Sequence, residues 1–122
     1  MKSKVYFIEN ITPDNIVKIY NSLNIELKGK VAVKLHSGEE GNQNYIKPEF
    51  VKPIIERVNG TVVECNTAYA GSRNTTSKHE ALMEKHGWSK YFDVDIMDST
   101  GPDLVLDIPN GKIIKKNYVG KN

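Results

Sequence analysis

The stretch Val31–Pro48, VAVKLHSGEEGNQNYIKP, decides the fold. Its opening alternates, with Val31, Val33 and Leu35 to one side and Ala32, Lys34 and His36 to the other, the period of a half-buried strand over residues 30–36. Before Pro48 can open a helix, the chain inserts two glycines, two glutamates, two asparagines and a tyrosine. A strand-to-helix connection needs only about 2–6 residues. The excess is rich in coordinating side chains, so the loop either lines a site or is a long solvated turn.

Working outward, the strand-helix pattern repeats. KVYFI at residues 4–8 reads as a strand, and Thr12, Pro13 and Asp14 then spell a helix start with an N-cap, a proline in the first turn and an acid at the positive end. Ile16, Ile19, Tyr20 and Leu23 give that helix one apolar face. After Pro48 a second helix carries Phe50, Val51, Ile54, Ile55 and Val58, with Pro53 expected to kink it or to delay its start to about residue 52. Asn59-Gly60 turns the chain into a third strand over residues 61–67. A second polar loop, AYAGSRNTT, follows; Ser77 and Glu80 have capping-box spacing for a third helix, and Gly87 suits its end. DVDIMDS, LVLDIP and KIIKKNYV come last, with Asn110-Gly111 marking a hairpin. Three β-α units give an α/β fold: a mostly parallel sheet flanked by helices, with a C-terminal antiparallel hairpin, in one domain over residues 1–122. Both polar loops leave carboxyl ends of strands, where open α/β sheets bind ligands.

Composition narrows the partners. With 17 basic and 15 acidic side chains among 122 residues and a formal charge of +2, nothing favours nucleic acid. Lys112, Lys115, Lys116 and Lys121 lack interleaved aromatics or arginines and read as a solvated strand face. No apolar run reaches membrane-spanning length and the amino terminus has no signal-like core, so the expected location is cytoplasmic. Cys65 is the single cysteine. It pairs with no internal partner, holds no cluster alone, and falls with the apolar set of its strand as a small buried hydrophobe.

The first loop's Gly38 and Gly41 let backbone amides approach a ligand, while Glu39, Glu40, Asn42 and Asn44 offer the oxygens that a divalent metal prefers. Ser37 and Tyr45 border it. His36, Glu39 and Glu40 are candidates both for acid-base chemistry and for metal binding, though His36 also suits a structural hydrogen-bonding role. The second loop adds Asn66, Thr67, Tyr69, Gly71, Ser72 and Arg73. Arg73 has the planar fork that fits a carboxylate or phosphate; the bland alternative is a pairing with Glu39 or Glu40 across the gap. Arg57, the other arginine, falls on a helix surface. Strand alternation also allows Lys34 to stand beside Glu64 and His36 beside Asn66.

Three segments carry a resemblance: VAVKLHSGEEGNQNYIKPEFVKPIIERV, NTAYAGSRNTTSKHEALMEKHGW and DIPNGKIIKKNYV. Together they resemble the amino-terminal portion of the domain-of-unknown-function 362 family. The resemblance implies a longer domain with a second glycine-rich half, and in many members ferredoxin-like cysteine motifs for iron-sulfur clusters. Those motifs are missing here, so no iron-sulfur cluster is expected in this chain. The family's reaction is not established, which leaves open whether the chain is an enzyme. Two functions are expected from the residues: a small anionic molecule or a divalent metal bound between loops 37–47 and 67–76, or a non-catalytic truncated module that folds and associates through an exposed sheet edge, as a homodimer or with a partner chain supplying the missing half.

Overall fold

The structure is a computed structural model and describes residues 3–119. Lys121 of the carboxyl-terminal lysine group lies outside the described residues. Among the described residues three helices, α1 (Pro13–Ser22), α2 (Pro48–Arg57) and α3 (Thr76–Lys85), accompany five strands, β1 (Val31–Lys34), β2 (Gly60–Glu64), β3 (Val94–Ile96), β4 (Leu104–Asp107) and β5 (Lys116–Val119). The first three strands form a parallel sheet in the order β1-β2-β3, and the last two form a separate antiparallel pair. This is the α/β architecture that the pattern implies.

Local chemistry explains most boundaries. The Asn15 amide donates to Thr12 Oγ1 at 3.2 Å, closing the expected cap of α1. Asn59 turns the chain into β2 at φ +48°, a left-handed conformation that asparagine tolerates. α2 starts at Pro48 despite Pro53. The carbonyl left without its donor is that of Glu49, an exposed residue of the first turn. For α3 the cap position is Thr75, so Ser77 lies inside the helix and the expected capping box does not form. Gly87 ends it at φ +81°, as expected, and a single 3-10 turn follows at Trp88–Lys90.

One expected strand is absent. Residues 4–8 take no strand structure, and Val5 and Phe7 are almost fully exposed. Their alternation suits a strand, but pairing requires an edge, and the sheet begins at β1 without them. The hairpin forms with Leu104 opposite Val119 and Asp107 opposite Lys116, so its return strand starts later than KII. Ile113 and Ile114 fall in the connection and are exposed.

The core gathers on one face of the sheet. Met83 of α3, Trp88 and Ile96 are buried together, with Leu35, Val51 of α2, Phe92 and Val94 packed against them. On the opposite face Ala32 lies level with Thr61 and Lys34 with Val63; Ala32, Lys34 and Thr61 are exposed. No helix among the described residues is long and apolar enough to cross a membrane.

Candidate functional site

The carboxyl ends of β1 and β2 converge on Glu64, which is 2% exposed. Its carboxylate accepts from Lys34 Nζ at 2.6 Å, the Ser37 amide at 2.9 Å, the Cys65 amide at 3.2 Å and Arg73 Nη1 at 3.4 Å. Burial works to raise this carboxyl, but the hydrogen bonds from Lys34 and the two amides outweigh it and hold the group below its ordinary value. The Lys34–Glu64 contact is present, but not through a shared face of the sheet: the register sets Lys34 level with Val63, and the long side chain reaches the carboxylate. His36 instead meets Arg73 Nη2 through Nε2 at 3.1 Å, while Asn66 turns to Thr76 and His79.

Ser37 is pinned at every polar atom. Its amide and hydroxyl face Glu64, its hydroxyl also lies 3.1 Å from His79 Nε2, and its carbonyl accepts from Trp88 Nε1 at 2.9 Å and His86 Nδ1 at 3.0 Å. Asn66 Oδ1 faces His79 Nδ1 at 3.3 Å, and the Ser37 hydroxyl, which donates to Glu64 Oε1 at 3.2 Å, faces Nε2. A serine, a histidine and an orienting asparagine thus stand in sequence. Ser37 is 1% exposed and His79 fully buried, so no substrate atom reaches the hydroxyl, and the trio anchors the loop rather than attacking a substrate.

Burial, with help from the Arg73 charge, pushes the His79 imidazole below its ordinary value against the pull of Glu64. The folded state therefore resists a proton that the unfolded state accepts. Stability from this group is complete above about pH 6.5 and falls as the pH drops below that value. Chemical denaturation between pH 7 and 5 is expected to show this loss, and a His79→Asn variant to flatten it. An unchanged slope in the variant would assign the loss to other groups.

The two polar loops do face each other. Arg73, 4% exposed, donates through Nε to Glu39 Oε1 at 3.1 Å and also through Nη2, and Tyr69 donates its hydroxyl to the same oxygen at 2.8 Å. The next glutamate is held separately: Glu40 accepts from Ser72 Oγ and from Lys85 Nζ at 2.9 Å. Hydrogen bonds from Arg73 and Tyr69 lower the Glu39 carboxyl, and those from Ser72 and Lys85 lower Glu40. Glu39 and Glu40 lie between Gly38 at φ +99° and Gly41 at φ +78°. A Cβ at Gly38 would stand 2.7 Å from the Tyr45 side chain, so the close approach admits only glycine. Tyr45 stacks on His86 with centroids 4.1 Å apart, and Lys47 Nζ caps its other side at 3.5 Å.

Of the remaining expected site residues, Asn42 and Asn44 are exposed, joined by a 2.8 Å bond from the Asn44 amide to Asn42 Oδ1. The Thr67 amide donates to the Arg73 carbonyl at 2.8 Å and closes the second loop on itself, with Gly71 exposed at its tip. Among the described residues, no three His, Cys, Asp or Glu side chains group as metal ligands. Cys65 is half-buried rather than buried, and burial aided by Asp98 pushes its thiol up. Arg57 is exposed, as expected, and bonds Asn21. Sequence reasoning missed His79, Lys85, His86 and Trp88. Lys78, Leu82 and Lys85 do recur at helical spacing on α3, which was the available signal for a helix face beside the loop.

A shallow cleft of about 320 Å³ opens beside Glu40, lined by Ser72, Lys78, Ala81, Leu82 and Lys85. Larger depressions lie elsewhere, one of about 520 Å³ along residues 89–94 beside Glu80 and Met83, and one of about 920 Å³ that runs from Gly29–Ala32 and Asn59–Thr61 to Val63 and Asp95 on the sheet face away from the core.

The model of one protein family, described as Domain of unknown function (DUF362), matches residues 31–122, most of the chain and both loops. Neither a curated protein nor a solved structure matches the chain.

Proposed function

We propose, from the premise that this chain belongs to the DUF362 family, that the carboxyl edge of its sheet binds a small anionic molecule, with Arg73 as the clamp. One observation supports this above the rest. The buried guanidinium turns its Nε and Nη2 side toward a carboxylate, Glu39, whose side chain is 36% exposed and can rotate away to solvent. The opposite side of the fork is held by Glu64, so the clamp keeps its position when Glu39 leaves. Burial acts against the charged guanidinium, yet Glu39 outweighs it and strengthens the charge; an incoming carboxylate or phosphate must match that partner.

Orthophosphate or acetate titrated into the full chain should bind, and Arg73→Lys, which keeps the charge and removes the fork, should weaken binding about tenfold or more. Equal affinities in the two proteins, or no binding in either, would overturn the assignment.

A second reading, association through exposed surface, is favoured by the hairpin, whose Leu104, Val105, Leu106 and Tyr118 are all exposed although they alternate between its faces. Native mass spectrometry during the same titration separates the two. A monomer carrying the anion supports the clamp; a dimer without an adduct supports association.

A further inference from the structure

The carboxyl edge holds not one anion clamp but two, and the loop fills both. Arg73 and Tyr69 hold Glu39, whereas Ser72 and Lys85 hold Glu40. Resting on the binding role proposed above for this edge, we infer that its ligand carries two anionic groups on a short, partly apolar body, and that Glu39 and Glu40 occupy its place when the site is empty. The spacing sets the size. Glu39 and Glu40 are adjacent residues and each reaches its own clamp, so a molecule the size of an acidic dipeptide reaches both.

The surroundings of the second clamp set the character. The cleft beside Lys85 has Ala81 and Leu82 in its lining, which suits a few methylene groups, and Lys78, whose ammonium meets the neutral Asn74 Oδ1 at 3.4 Å. A second cation, with no carboxylate on it among the described residues, stands ready for the ligand's outer group. The Glu39 and Glu40 side chains are 36% and 55% exposed, so both can rotate out to solvent while Ser37 stays pinned. Short dicarboxylates and diphosphates share this chemistry.

Calorimetric titration of the full chain with succinate and pyrophosphate, against acetate and orthophosphate, tests the inference. The two-group probes are expected to bind at least tenfold tighter, and Lys85→Gln to erase that advantage. Tighter succinate assigns carboxylates as the source, and tighter pyrophosphate assigns phosphates. Glu40→Gln removes the charge that competes for the second clamp, so succinate should bind that variant several-fold more tightly than the parent. Equal affinities for one- and two-group probes, an advantage that survives in Lys85→Gln, or an unchanged Glu40→Gln would overturn it. If acetate and orthophosphate bind without a two-group preference, this inference alone fails; if no probe binds, the clamp at Arg73 fails with it.

Discussion

A Glu64→Ala variant is expected to lose about 3–5 kcal/mol of stability in urea titrations followed by circular dichroism, the cost of breaking a buried ion pair from one side. The carboxylate is 2% exposed, and its removal leaves Arg73 buried beside an exchangeable Glu39 and strips the Ser37 amide of its acceptor. Domains of this size hold only about 5–15 kcal/mol in total, so the variant approaches the edge of folding. Not every partner contributes equally. The Lys34 side chain is 54% exposed, so its short bond to Glu64 works largely in solvent, and Lys34→Ala should cost under about 1 kcal/mol. A loss in Glu64→Ala no larger than that of Lys34→Ala would mean that water replaces the carboxylate and that Ser37 and Arg73 do not depend on it.

The contrast between those two residues also shows what the sequence could carry. Lys34 and Glu64 sit near the carboxyl ends of adjacent strands, so their nearness was legible, but the register sets Lys34 level with Val63, and the long lysine side chain rather than the pleat makes the contact. The Thr12 cap, the Asn59 turn and the Gly87 stop were legible for the same reason: each is decided within a few residues by backbone chemistry. Residues 4–8 show the limit of such reasoning. Their alternation states which side chains would share a face but not which edge would receive them, and that edge is set by the whole sheet.

The site divides along the same line. Two polar loops at one sheet edge followed from topology, as did the option that Arg73 pairs with a loop glutamate. The partition of Glu39 to Arg73 and Glu40 to Lys85 did not follow. Lys85 is 45 residues from Glu40, and His79 is 42 residues from Ser37. Which turn of α3 faces the end of β1 depends on how the helix settles on Met83 and Leu82, a packing outcome that no local motif encodes. The buried polar group at Ser37 is thus a product of the core as much as of the loop.

That dependence makes Trp88 the second large effect. Its side chain is fully buried with Met83 and Ile96, and truncation to alanine should cost about 3–5 kcal/mol. The same side chain anchors the loop, because Nε1 donates to the Ser37 carbonyl at 2.9 Å. Trp88→Phe separates the two roles. Phenylalanine keeps most of the packing and removes the donor, leaving the carbonyl to His86 Nδ1 at 3.0 Å, so the expected loss is nearer about 1–2 kcal/mol. If the tryptophan transmits core packing to the loop, hydrogen exchange at the amides of residues 38–40 should accelerate in Trp88→Phe by more than the global loss explains. Exchange that follows global stability alone would show that His86 and Glu64 suffice to hold Ser37. The loop's readiness to open would then be set at Gly38 and Gly41, within the loop itself.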